Sequence, residues 1–223
     1  MKNCNAQEDP ATRRILPIAC ATALAVAFTV SLPKPAHADR ITPPPVPEKI
    51  KVPEGSRAFL VGHAEGTQNY VCLPSGAGFR YVLFTPQAIL FQHRGRQVTT
   101  HFFSPNPDEG GTIRATWQHS RDTSAFWGQV LETYSEPDFV APGAIAWLKI
   151  GKAGVAEGPG GGDALTATTF VQRVNTAGGV APSTGCASPA DVGRQQFVPY
   201  TADYIFYSTP GSDEDDDDHH HHD

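Results

Sequence analysis

The sequence contains the residue types of a hydrolytic triad within a short span. His101 precedes Asp122 and Ser124, and His119 lies close to them. Such a triad needs a serine held against a histidine base and two donors for the oxyanion. No G-x-S-x-G turn is present to expose the serine. Ser124 and Asp122 are equally suited to capping a turn, so His101, Asp122 and Ser124 are catalytic candidates only.

Histidines spaced along the chain suggest a second chemistry, metal binding. His63, His93, His101 and His119 lie in or beside predicted strands, and His101 would be the first ligand. No H-x-H or H-x-x-x-H pair occurs, so a site would need four separate loops to converge. No metal ligand in the domain is predicted from these patterns.

The acidic tail carries a separate run of four histidines. Clustered histidine and aspartate side chains bind divalent ions weakly, whatever the fold of the rest of the chain. We therefore expect weak metal binding by the tail alone. The histidines concerned are His219, His220, His221 and His222.

A polar cluster and a tryptophan are the candidates for ligand binding. Gln172, Arg173 and Asn175 interrupt an otherwise β-type segment, and Trp117 lies on another predicted strand. The arginine fork matches the two oxygens of a carboxylate, and the amides suit sugar hydroxyls. Alternatively, Arg173 is a buried anchor that pairs with an aspartate, either Asp122 or Asp203. Core packing explains most of the aromatic residues, and any exposed ones would form a glycan platform.

The elements that must position these residues are strands. Short runs of β-branched and aromatic residues alternate with Gly, Pro, Asn and Asp breaks, and no apolar stripe has helical spacing. This pattern predicts an all-β fold, either an antiparallel β-sandwich or a partly closed barrel with long loops. The predicted strands are 57–62, 68–73, 79–84, 97–103, 112–118, 125–133, 145–150, 167–175 and 198–207.

The ends of the chain differ from its centre in composition. Residues 1–38 have the basic start, apolar run and Ala36-His37-Ala38 ending of a secretory signal peptide. Residues 39–53 form a Pro-rich extended arm, residues 54–209 a single β domain, and residues 210–223 a disordered acidic and histidine-rich tail. No later segment is long and apolar enough to cross a membrane. We therefore expect a secreted or periplasmic protein.

Cysteine usage and charge agree with export and exclude some partners. After signal removal only Cys72 and Cys186 remain, and two cysteines in an oxidising compartment usually form a disulfide. Two buried thiols are the alternative. The domain without its tail is close to neutral, so it lacks the basic face that a nucleic-acid partner requires. No phosphate-binding glycine turn opens a helix, so no nucleotide cofactor is expected.

Several segments together resemble one known family, the secreted bacterial and fungal proteins of domain of unknown function 3455. The resemblance covers 52–207 and is most specific in 172–182. It implies the domain limits, export and the presence of both cysteines, and it implies no established activity. Many relatives read Asp-Gly-Ser where this chain has Asp122-Thr123-Ser124, which places a side chain in a turn that needs glycine-like freedom. The remaining matching segments are 68–72, 101–105, 117, 185–186 and 198–204.

Two functions remain open on the sequence alone. The leading interpretation is an exported binding or interaction module for a glycan or another envelope component, with its site where His101, Trp117, Asp122 and Arg173 would meet. The alternative is a secreted hydrolase or metal-dependent enzyme that uses His101 and Asp122. An enzyme predicts a pocket that joins His101 to a carboxylate or hydroxyl at hydrogen-bond distance. A binding module predicts a groove without that convergence.

Overall fold

Eight antiparallel strands and four single turns of 3-10 helix are the main secondary structure of the part of the chain that the structure describes. The computed structural model describes residues 41–210. No helix among these residues is long and apolar enough to cross a membrane. The strands are β1 (Arg57–Ser75), β2 (Gly78–Gln92), β3 (Arg96–Asn106), β4 (Thr112–His119), β5 (Ala125–Tyr134), β6 (Trp147–Ala156), β7 (Phe170–Gly178) and β8 (Gln195–Ser208).

The sheet closes on itself as a barrel. Each strand pairs with the next along the chain, and β8 returns to pair with β1, for instance through Ala64 and Ala202. The all-β, antiparallel prediction is therefore confirmed, and of the two predicted architectures the structure has the barrel. Closure through β1 and β8 gives every strand two neighbours, which limits the sheet edge open to edge-to-edge aggregation.

The strand β1 is longer than the sequence pattern predicts. Two predicted strands, 57–62 and 68–73, are parts of this one element. The intervening glycines Gly62 and Gly66 are not breaks but positions of close packing. A Cβ atom on Gly66 would overlap the backbone of β2 at Gln87, so only glycine allows the two strands to approach there.

One apolar cluster lies inside the barrel. Residues that are paired across strands point to the same side of the sheet, which identifies the inward set. Trp117, Phe126 and Phe206 are fully buried, and the ring of Trp117 contacts the other two edge to face or at a tilt. An eight-stranded barrel is just wide enough to be filled by side chains or to hold one small ligand.

A second apolar layer covers part of the outer wall. Ile50 lies in the 3-10 turn Glu48–Ile50 within the Pro-rich arm and is fully buried against outward residues of β7 and β8, among them Val174 and Ile205. Residues 134–147 add Val140 and other apolar side chains to the same layer. Consequently β7 and β8 are buried on both faces over much of their length.

The two cysteines connect β1 to the loop between β7 and β8. Cys72 and Cys186 form a disulfide with 5.5 Å between their Cα atoms and a sequence separation of 114 residues. Tyr81 donates a hydrogen bond to the carbonyl of Gly185 at 3.0 Å, next to the bridge. The predicted pairing of the cysteines is thus confirmed.

Candidate functional site

His101 lies inside the barrel, on β3. It stacks on Trp117, its cross-strand neighbour on β4, with the ring centres 4.1 Å apart and the planes 10° from parallel. Tyr204 of β8 contacts the same histidine ring at 5.2 Å and Trp117 at 5.4 Å. The strand register therefore builds a three-ring cluster from three strands, one of which is far from the other two in sequence.

The surroundings of His101 keep its ring neutral. Burial lowers the pKa of His101 to about 3, and the nearby Arg173 charge acts in the same direction. The Nδ1–H donates to the carbonyl of Thr116 at 2.9 Å, because a carbonyl can only accept. Nε2 is then the nitrogen with a free lone pair. A histidine with so low a pKa is a poor general base at neutral pH.

Arg173 also points into the barrel, where its cross-strand neighbours are Tyr204 and Leu148. Its Nε and Nη2 donate to the carbonyl of Ala146 at 3.0 and 2.8 Å. The side chain is half-buried, and none of the ion pairs found among residues 41–210 includes Arg173. The alternative in which Arg173 pairs with an aspartate is therefore wrong, since its anchor is a backbone carbonyl.

Asp122 belongs to a different part of the molecule, the turn between β4 and β5. Its carboxylate accepts bonds from His119 Nδ1 at 2.8 Å and from Ser124 Oγ at 2.8 Å. The amides of Ser124 and Ala164 add two more bonds at 3.0 Å. Burial alone would raise the pKa of Asp122, but these bonds together lower it below its ordinary value. This carboxylate acts as the anchor of the turn.

The arrangement around Asp122 is not that of a triad. In a triad the histidine lies between the carboxylate and the serine. Here the carboxylate lies between His119 and Ser124, and Ser124 Oγ also accepts the amide N–H of Leu165 at 3.1 Å. Ser124 is fully buried, and both of its side-chain bonds serve to hold the loop. His101 forms no hydrogen bond with Asp122.

The turn formed by Asp122, Thr123 and Ser124, where the resemblance implies a need for glycine-like freedom, has a strained backbone. Thr123 has φ +61°, a left-handed conformation that costs a residue with a Cβ atom about 1–2 kcal/mol. The glycine-rich segment 158–162 packs against this turn, and a Cβ atom on Gly162 would overlap the side chain of Asp122. Gly158–Gly162 is therefore a docked part of the connection between β6 and β7.

The polar cluster predicted around Arg173 is divided by the barrel wall. Successive residues of a strand face opposite sides, so Gln172 points outward. Its amide donates to the carbonyl of Ile50 at 2.7 Å and accepts from the hydroxyl of Tyr207. Asn175 also lies outside and donates to Asp203 at 2.8 Å, which His63 contacts from the other side at 2.6 Å. Only Arg173 remains available to an interior site.

A cleft reaches His101 from outside between β2 and β3. The two strands pair only from Ala88 and His101 to the hairpin, and beyond that point a side-chain bond from Phe103 N to Thr85 Oγ1, 3.1 Å long, joins them. The resulting cleft has a volume of about 670 Å³. Some of its lining residues lie on the outer face of the sheet. Four others lie at positions that face the barrel interior, namely Gly66, Pro86, Ala88 and His101.

Two other depressions lie between the arm and the barrel. They measure about 790 and 1090 Å³, and their walls include Ile41–Pro43, next to the segment that precedes the described residues. The larger one contains His63 and His93, whose ring centres are 5.7 Å apart. Within 41–210 no group of three or more His, Cys, Asp or Glu side chains is placed to hold a metal ion.

The tail histidines, for which we predict weak metal binding, do not belong to the part of the chain that the structure describes. That part ends at residue 210, so metal binding by the tail stays a prediction from composition. The four residues outside the described range are His219, His220, His221 and His222.

Sequence reasoning missed two interior residues, Gln68 and Tyr200. Gln68 is 2% exposed, and its Nε2 has no hydrogen-bond partner among the described residues. The hydroxyls of Tyr200 and Tyr204 are 3.3 Å apart. Burial raises the pKa of Tyr200, so its hydroxyl remains a donor. The sequence of β1 contains no signal that marks Gln68 as inward.

Fold and site together define a class: closed, eight-stranded, up-and-down antiparallel barrels with a polar cluster inside the wall. The sequence profile of one family, described as Protein of unknown function (DUF3455), matches residues 53–208. The chain belongs to that family. Searches of curated proteins and of solved structures gave no match.

Proposed function

We propose that the chain is an exported binding protein that takes a small organic ligand through the cleft above His101. The observation that carries this proposal is the opening between β2 and β3, which leads from the surface to His101, whose ring stacks on Trp117. Small-ligand sites in proteins are concave and mostly apolar, with a few polar groups that orient the ligand. Pro86, Ala88 and Phe102 supply the apolar lining, and His101 supplies an acceptor.

The contacts of the catalytic candidates favour binding over catalysis. His101 has no carboxylate partner to orient it, and its low pKa makes it a weak base. Asp122 and Ser124 use their polar atoms to hold the turn that follows β4. A hydrolase or metal-dependent enzyme based on His101 and Asp122 would require both to reach one substrate, and neither contacts the other.

Burial of the tryptophans and of three tyrosines favours a small ligand over an extended glycan. All three tryptophans are at most 8% exposed, and so are Tyr70, Tyr200 and Tyr204. A glycan platform would need such rings on the surface. The envelope or extracellular setting rests on the signal-like residues 1–38 and on the disulfide, which is typical of oxidising compartments.

The binding proposal can be tested by blocking the cleft. Thr100 lines it, so Thr100→Trp should fill it, whereas Gln118→Trp alters the cross-strand neighbour of Thr100, outside the cleft lining. Fragments found by ligand-observed NMR should bind the wild type and Gln118→Trp but not Thr100→Trp. Fragments that bind Thr100→Trp as well as they bind the wild type, or a library without any binding fragment, would show the proposal to be wrong.

A further inference from the structure

Behind the cleft, two buried hydrogen-bond donors have no acceptor among the described residues. Trp117 is fully buried, and its Nε1–H has no partner among the residues described. Gln68 Nε2 is in the same state. An indole can only donate, and a buried donor without a partner costs about 1–3 kcal/mol. Two such groups in one interior indicate that a bound ligand supplies the missing acceptors.

Arg173 adds a charge to the same cluster. Tyr204 is its cross-strand neighbour and also contacts His101 and Trp117, so the guanidinium lies beside the ring cluster. Gln68 and Tyr200 lie side by side, because a Cβ atom added to Gly179 would meet Tyr200 Cβ at 2.9 Å and Gln68 Cγ at 3.2 Å. Burial raises the pKa of Tyr200, and the charge of Arg173 acts against this rise. The guanidinium uses a single backbone carbonyl, so several of its five N–H groups are left over.

We infer that the ligand of the barrel is a small organic carboxylate, seated with its charged end on Arg173 and its apolar body toward the rings of His101 and Trp117. This inference rests on the proposed binding function and specifies its ligand class. A half-buried cation without an anionic partner is costly, and a carboxylate matches the guanidinium fork with two parallel bonds. The spare donors of Trp117 and Gln68 then serve the remaining lone pairs.

The experiment compares acids with their neutral amides. Benzoate and octanoate are titrated into the full chain by calorimetry at constant ionic strength, beside benzamide, octanamide and inorganic phosphate. Each acid should bind about tenfold more tightly than its amide, because charge-assisted bonds are stronger than neutral ones. Arg173→Gln should abolish that preference. Arg80→Gln, which removes an exposed arginine of β2, should leave it unchanged.

A second variant keeps the test decisive if Arg173→Gln does not fold. Gln68→Glu places a carboxylate inside the cluster and removes a donor, so it should weaken the acids far more than the amides and reverse the order of their affinities. Equal binding of acids and amides in every variant would refute the carboxylate and leave the binding function standing. Tight phosphate binding with weak binding of the acids would identify an inorganic-anion site and overturn the inference, as would a failure of both acids to bind.

Discussion

The buried histidine of the ring cluster should make the stability of this protein depend on pH above the range in which carboxylates titrate. In the unfolded chain His101 has the ordinary histidine pKa of 6.5, and in the folded chain burial lowers the pKa to about 3. Between these values the unfolded state binds more protons. The contribution of His101 is therefore fully present above pH 6.5 and is lost as the pH falls toward 3.

The magnitude follows from the size of the shift. Within this window the free energy of unfolding should fall by about 1.4 kcal/mol for each pH unit. From about pH 7 to about pH 5 the loss amounts to about 2 kcal/mol. Burial raises the pKa of Asp122, but its hydrogen bonds outweigh this effect and leave the pKa below its ordinary value. Hydrogen bonds also lower the pKa of Glu109. The contributions of both carboxylates to stability are therefore lost only at more acidic pH.

Urea unfolding at several pH values between about 5 and 7 measures this slope. His101→Phe keeps a ring against Trp117 but cannot titrate, so the variant should lose most of the slope whatever its overall stability. His63→Gln removes a histidine whose side chain is 48% exposed on the outer face, and this control should keep the His101 contribution. An unchanged slope in His101→Phe would refute the assignment of the pH dependence to the interior histidine.

Three further changes test other parts of the fold by urea unfolding. Replacing Cys72 and Cys186 by serine should lower the free energy of unfolding by about 4–5 kcal/mol, because the bridge closes a long loop; a loss below about 1 kcal/mol would contradict this. Thr123→Gly should raise it by about 1 kcal/mol through relief of the left-handed strain, whereas Thr123→Ala should give no gain. Gln68→Leu should raise it by about 1 kcal/mol, since the amide donor is unpaired without ligand, and an equal loss would mean that Gln68 serves the fold.

The sequence was sufficient to predict the class of fold and the disulfide. Strand alternation and turn residues are local signals, so most strands could be predicted. The exception is β1, which the pattern divides into two strands at its glycines. Gly62 and Gly66 resemble breaks in a pattern analysis, but they mark a close approach between strands that exists only in the closed barrel. Whether the sheet closes depends on the pairing of β1 with β8, which no local pattern reports.

The candidate site was predictable only in part, because burial on both faces hides the direction of a side chain. Gln172 and Arg173 are adjacent polar residues in a strand whose inner and outer neighbours are both apolar. Without alternation, the sequence could not tell which of them faces the interior. His101 and Trp117 were selected by residue type, and their stacking follows from the register of β3 and β4. Asp122 was selected in the same way and lies elsewhere.

The outer apolar layer gives a physical reason why the interior can contain polar groups. A barrel of this size normally relies on its filled interior for stability. Here Ile50, Val174 and Ile205 bury apolar surface outside the wall, where a fully buried aliphatic side chain contributes about 1.5–3 kcal/mol. Because this outer layer contributes to the stability of the fold, the interior does not have to be entirely apolar. Unpaired donors beside Arg173 can then persist in the free protein, although selection for stability alone would replace them with apolar side chains.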